Sequence, residues 1–242
     1  AAPTAAVYFG RQCGKLNLIS YDVGGTTSDI CVIWNGQVPT TREKWIGDER
    51  LALKTIDVDS FGAGGGSIAR LDRLGVLKVG PESAGARPGP ASYGQGGEEP
   101  TLTDAALILG YIPHDYFLGG QVPLYEELAR RAVGKLAQKM GMTVEETAAA
   151  IVATANAVMA QHVTTLTTKR GYDPRDFVLV AGGGAGPPNC LWLAEELGIT
   201  TVVVPRLAAL YSAFGMLTMD MGWAYSRSFL ASTDKIDLEK LN

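Results

Sequence analysis

Three features of this 242-residue chain predict an α/β fold. The chain opens with strand-like apolar runs around a glycine-bearing turn. Two long segments after residue 122 carry helix start and stop signals. Two β-branched apolar runs, 177–181 and 201–205, are separated by a helical stretch, the pattern of parallel strands buried on both faces. The composition agrees with a folded domain. Apolar residues make up 46% and net charge is −4, too apolar and too weakly charged for disorder. Glycine is abundant, 30 residues, but follows no collagen period. No apolar run approaches the ~18 residues needed to span a bilayer. No basic tract invites nucleic acid or an anionic membrane, so neither is an expected partner. Cys13, Cys31 and Cys190 lie far apart without CxxC spacing and read as reduced thiols of a cytoplasmic protein.

The elements follow in order. Residues 17–23 and 28–34 read as strands around Gly24-Gly25-Thr26-Thr27. The second runs into Asn35-Gly36, a strong hairpin signal, which predicts a third strand near 37–45. Residues 46–122 are rich in glycine and proline, with regular structure expected only at 68–79 and in a short helix beginning at Thr103-Asp104. A stretch of that length without structure of its own usually has a function. A helix over 123–140 stops at Gly141. Thr143 with Glu146 forms a capping box that starts a helix running to about 170. Strand 177–181, a glycine loop at 182–186, a helix near 188–197, strand 201–205 and a helix near 211–220 complete the pattern. The division expected is a lobe made of 1–45 and 143–222, an insertion at 46–142 and a polar tail at 223–242.

Two segments carry chemistry. In Asp22-Val23-Gly24-Gly25-Thr26-Thr27-Ser28-Asp29, glycines in a tight turn let backbone N–H groups approach a phosphate where a Cβ would block them. The hydroxyls of Thr26, Thr27 and Ser28 can add donors. Asp22 and Asp29 flank the turn, where a carboxylate can hold Mg²⁺ beside a polyphosphate. The alternative is an ordinary hairpin. In 177–188, a buried strand ends in glycines that open a helix, an arrangement that binds anions and nucleotides. It has neither dinucleotide nor P-loop spacing. Its alternative is close strand–helix packing.

Together, the two segments and the order around them resemble one lobe of the sugar kinase–actin–chaperone superfamily. That resemblance implies an RNase H-like (actin-like ATPase) lobe of β-β-β-α-β-α-β-α order, with 46–142 inserted after the third strand. A narrower resemblance covers nearly the whole chain. The phrases Y-D-V-G-G-T-T-S-D, F-G-A-G-G-G-S-I-A, V-G-P-E-S-A-G-A-R-P-G-P-A-S-Y-G, E-P-T-L-T-D-A, D-Y-F-L-G-G, K-R-G-Y-D-P-R-D-F and A-G-G-G-A-G-P occur here in this order. They resemble the hydantoinase A / 5-oxoprolinase family, which includes acetone and acetophenone carboxylase subunits.

The resemblance implies that ATP phosphorylates a carbonyl oxygen of a cyclic amide, or of a ketone's enolate. Hydrolysis or carboxylation then follows on a second catalytic subunit of hydantoinase B type. It implies that this chain corresponds to the second ATPase lobe and works with a first one. ATP would be held by Gly24, Gly25, Thr26, Thr27 and Ser28 at its phosphates, and by Gly182, Gly183, Gly184 and Gly186 at its adenosine. Asp22 and Asp29 would hold Mg²⁺. The candidate catalytic acids are Asp22, Asp59 and Glu82. Family members often carry histidine where this chain has Asp59 and Asn189, which weakens any transfer of proton-transfer roles. Carboxylase chemistry, and a non-catalytic nucleotide-gated module of the actin or chaperone kind, are the alternatives. Asp104 is expected to serve as a first-turn charge of its helix, His162 as an interior or interface residue and Cys31 as core.

Overall fold

The computed structural model describes residues 1–223 and Tyr225, apart from Ala52. The predicted tail therefore falls, beyond Trp223 and Tyr225, outside the described residues. The chain opens with a helix that the sequence reading did not anticipate, α1 (Ala2–Gln12). Its Ala2, Ala5, Ala6 and Val7 are buried. An alanine face this small carries little hydrophobic signal of its own and is made stable by what it packs against.

The centre is a sheet reached in stages. β1 (Leu18–Val23) and β2 (Ser28–Ile33) pair antiparallel, with Asp22 opposite Asp29. Asn35 and Gly36 both adopt positive φ, 51° and 70°, and Gln37 N–H donates to the Trp34 carbonyl at 3.0 Å. The predicted hairpin turn is therefore present, but the third strand at 37–45 is corrected. Trp34–Gln37 is a single bridge, and Pro39, which has no N–H to donate, follows it. The chain instead leaves the sheet to form two small ribbons. β3 (Thr40–Thr41) pairs with β6 (Thr55–Ile56), and β4 (Lys44–Ile46) with β5 (Glu49–Leu51). It returns as β7 (Asp59–Phe61), antiparallel to β2 at Ser28–Ile30. A segment assigned to the insertion thus supplies the sheet's third strand.

Beyond β7, the hairpin β8 (Ser67–Leu71) and β9 (Leu77–Ser83) covers the regular stretch expected at 68–79. Then come α2 (Leu102–Ile108), α3 (Glu126–Met140) and α4 (Val144–Lys169). Gly141 ends α3 in the left-handed conformation at φ 68°. The Thr143–Glu146 capping box starts α4 as expected. β10 (Val178–Gly182), α5 (Gly186–Leu197), β11 (Val202–Val203) and α6 (Tyr211–Leu217) follow. The sheet order is β11-β10-β1-β2-β7, with β10 parallel to both β1 and β11.

Alternation along β1 divides the core. Ile19, Tyr21 and Val23 face a layer that contains Ile151, Met159 and Val163 of α4 and Leu193 of α5. Leu18, with Cys31 and Ile33 of β2, faces Ala5 and Ala6 of α1 and Tyr211 of α6. Helices thus cover both faces of a mixed sheet, and Cys31 lies in the core as expected.

Asp104 does more than complement a helix end. Its carboxylate is fully buried and accepts from the backbone N–H groups of Ala91, Ser92 and Thr101, and from the Thr101 hydroxyl, at 2.8–3.2 Å. It therefore ties the loop at 91–92 to the start of α2. A buried carboxylate is tolerable only with its lone pairs used in this way. Asp104→Ala leaves those donors without a partner and is expected to cost about 3 kcal/mol, read as a lowered urea midpoint.

Candidate functional site

The two glycine segments meet at one end of the sheet. β1 and β10 are parallel neighbours, with Asp22 beside Gly182, so the turn after β1 and the loop after β10 emerge together. Gly24 to Thr27 are exposed, and Gly24 N–H closes the turn on the Thr27 carbonyl at 3.0 Å. Ala185 N–H donates to the Val23 carbonyl at 2.9 Å, joining the two loops. Gly183 has φ 77°, and a Cβ there would run into that same carbonyl. A Cβ on Gly182 would occupy the Tyr211 ring. Gly25 and Gly184 are different, because a Cβ on either meets nothing within 4 Å. Their backbones border open space, as a phosphate-approaching loop requires.

A third loop lies against the first. β7 points its C-terminal end at the turn, because Phe61 pairs with Ser28. The Gly62–Ser67 loop that follows is therefore laid on the turn. Gly65 N–H donates to the Gly24 carbonyl at 3.0 Å, and Gly66 N–H to Gly25 at 2.6 Å. A Cβ on Gly64 would stand 2.8 Å from both the Gly24 oxygen and the Thr26 nitrogen. Thr103 of α2 holds the other side, its N–H and its hydroxyl each donating to the Gly65 carbonyl at 2.8 Å.

The expected residues separate into groups. Asp22 and Asp29 stand together, each half-buried and each gripped by a serine that the sequence reading did not single out. The Ser212 hydroxyl donates to Asp22 at 2.7 Å, and the Ser60 hydroxyl to Asp29 at 2.5 Å. Burial pushes the Asp22 pKa up; the Ser212 bond pulls it back, and the facing charge of Asp29 raises it further. Ser28 is fully buried and donates to the Ala63 carbonyl at 2.7 Å, so its hydroxyl braces the Gly62–Ser67 loop rather than facing outward. Asp59 is exposed on β7, and its neighbour Asp57 pairs with Arg170 at 2.6 Å. Glu82 is exposed on β9 and pairs with Arg70 across the hairpin. That pair spans the hairpin, and no contact among the described residues draws Glu82 to Asp22. His162 stacks on Phe61 with ring centroids 4.0 Å apart, which makes it a packing residue of α4. Ser212 left no signal because its partner is 190 residues away in the chain.

Between the loops and the inserted segment lies a cleft of about 200 Å³. Gly24, Gly25, Gly184 and Asn189 form one side, and Leu102, Ala106, Ile112 and Phe117 give the other an apolar wall. A larger groove, about 570 Å³, runs between α1 and the end of α6 and includes neither glycine loop.

The profile of the hydantoinase/oxoprolinase family matches residues 1–224. This chain belongs to the hydantoinase/oxoprolinase family. It is 40% identical over 245 residues to the caprolactamase subunit alpha of Pseudomonas jessenii, covering 100% of this chain and 35% of that one. It is 34% identical over 230 residues to 5-oxoprolinase 1 of Arabidopsis thaliana, covering 88% of this chain and 18% of that protein. A nucleotide-free structure of acetone carboxylase, described as performing ATP-dependent acetone carboxylation, superposes with TM-score 0.80 at 34% identity. That match covers 88% of this chain and 31% of the other. The chain thus spans about a third, or less, of the relatives it matches. The named relatives include a caprolactamase subunit, a 5-oxoprolinase and a carboxylase subunit. No described helix is long and apolar enough to cross a membrane.

Two outcomes follow from the geometry. A Gly64→Ala substitution forces backbone against backbone and is expected to cost about 1–3 kcal/mol. Gly134→Ala, on α3 with its nearest neighbour at 3.9 Å, is expected to gain about 0.5–1 kcal/mol; urea denaturation compares the two. The second concerns Asp22. Its pKa is higher folded than unfolded, so its contribution to stability is complete below the unfolded value and is lost as pH rises through the folded one. Asp22→Asn is therefore expected to raise the denaturation midpoint at neutral pH, with the gain shrinking as pH falls towards the ordinary carboxylate range.

Proposed function

We propose that this chain is the ATP-binding part of an ATP-dependent hydantoinase/oxoprolinase-type enzyme, one that activates a cyclic amide carbonyl by phosphorylation before hydrolysis. One observation carries the reading: two glycine loops, from β1 and β10, converge beside the paired carboxylates Asp22 and Asp29 with open backbone at Gly25 and Gly184. The caprolactamase relative supports a lactam as the cyclic amide. The sheet order β11-β10-β1-β2-β7, with only β2 running against its neighbours, supports an RNase H-like lobe of the actin-like ATPase kind. On that reading the excursions at 34–58 and 62–142 flank the third strand, β7.

Each residue then has a part. The Gly24–Thr27 turn binds the phosphates through backbone N–H groups and the Thr26 and Thr27 hydroxyls. Gly184 and Ala185 border the nucleoside in the cleft. Asp22 and Asp29, oriented by Ser212 and Ser60, hold Mg²⁺ with phosphate and water completing its shell. ATP supplies the phosphoryl group. The chain's work is positioning and charge neutralisation, which phosphoryl transfer needs most. The raised pKa of Asp22 fits a carboxylate that gains a cation when loaded. The partners proposed are a first ATPase lobe, a second catalytic subunit of hydantoinase B type and a small carbonyl substrate.

Isothermal titration with Mg-ATP, of the chain alone and in its longer protein, tests the binding reading. Binding is expected, weaker for the chain alone, and an Asp22→Ala/Asp29→Ala variant is expected to lose at least tenfold in affinity. Equal binding by the variant overturns the placement of the site. The acetone carboxylase match favours a second reading, an ATP-dependent ketone carboxylase subunit. ATP consumption by the complete enzyme with caprolactam, hydantoin or 5-oxoproline, against acetone or acetophenone plus bicarbonate, separates the two.

A further inference from the structure

Asn189 is the fourth residue of α5, and only 3% of it is exposed. Its Nδ2 donates to the Ala185 carbonyl at 2.8 Å. That bond determines the orientation of the amide, because only the NH₂ end can donate to a carbonyl. The Oδ1 is thereby left as a buried acceptor, and it has no hydrogen-bond partner among the described residues. Buried polar atoms in folded proteins are nearly always paired, so an unpaired one beside a cleft asks for a donor from outside the chain. Asn189 lines the cleft that also holds Gly24, Gly25 and Gly184.

We infer that Asn189 selects the nucleobase: its Oδ1 accepts a hydrogen bond from the exocyclic amino group of an aminopurine nucleotide whose phosphates lie on the Gly24–Gly25 turn. The inference rests on the ATP reading above and adds what distinguishes one base from another. A purine is flat and apolar on its faces, which suits the wall of Leu102, Ala106, Ile112 and Phe117. The amino group of adenine is a donor and meets the waiting acceptor. A 6-oxopurine puts an oxygen at the same place, so two acceptors face each other. The amide cannot turn to offer Nδ2 without abandoning the Ala185 carbonyl. Specificity of this kind arises because the wrong ligand leaves a buried polar group unpaired.

Isothermal titrations with Mg-ATP, Mg-ITP and Mg-2′-deoxy-ATP test it on the whole chain. ITP carries the 6-oxo group, and 2′-deoxy-ATP lacks a ribose hydroxyl that could be the donor instead. ATP is expected to bind about tenfold more tightly than ITP, equivalent to about 1.4 kcal/mol, with 2′-deoxy-ATP matching ATP. In Asn189→Leu or Asn189→Ala the ATP–ITP gap is expected to close. Equal affinity for ATP and ITP in the unsubstituted chain overturns the inference, whether or not the variants fold. A loss confined to 2′-deoxy-ATP overturns it too, by assigning Asn189 to the sugar. If no nucleotide binds, the ATP reading falls along with it; if all three bind alike, only the base selection falls.

Discussion

The site depends on backbone lying directly on backbone. The Gly24–Thr27 turn is held between two other glycine loops, with Gly65 and Gly66 donating to its carbonyls on one side and Ala185 donating to Val23 on the other. Gly64 and Gly183 have no room for a Cβ at these contacts. The glycines at Gly25 and Gly184 border open space instead. The abundance of glycine in this chain therefore serves two opposite needs. Some glycines let the loops interlock; others leave backbone bordering open space. The inserted segment, whose glycine phrase F-G-A-G-G-G-S is shared in the family resemblance, is in part the support of the turn. Thr103 continues that support into α2, and Asp104 anchors α2 to the loop before it.

On the proposed reading, that support is what lets a hairpin turn serve phosphate chemistry. A free turn would pay conformational entropy each time it ordered around an anion. Here the ordering is built in through contacts the fold already makes. The same holds for the two carboxylates: Ser212 and Ser60 already orient Asp22 and Asp29. Burial raises the Asp22 pKa and the Ser212 bond opposes the rise, so the ionised carboxylate costs stability at neutral pH.

Much of the architecture was legible in the residues. β1, β2 and β10, both glycine turns, the Gly141 stop and the Thr143–Glu146 cap lie close to where local rules put them. The family phrases led to the same family as the profile match. The third strand did not follow. Asn35-Gly36 makes the turn it predicts, but what pairs beside β2 is decided by β7, which returns after two ribbons. Glu82, a candidate acid in a glycine–proline loop, lies exposed on the β8–β9 hairpin and pairs with Arg70. Asp104 is the first-turn charge expected, and its bonds to Ala91 and Ser92 make it a buried staple as well.

By itself, the sequence determined most of the strands and helices, the two glycine turns and the family resemblance. Each of these is written in residues a few positions apart, through caps, turn chemistry and alternation. Tertiary structure alone decided which strand completes the sheet, that α1 packs beneath it, that three glycine loops interlock, and that Ser212 reaches Asp22 across 190 residues. Those features depend on which distant segments share space, and a local pattern does not name its long-range partner.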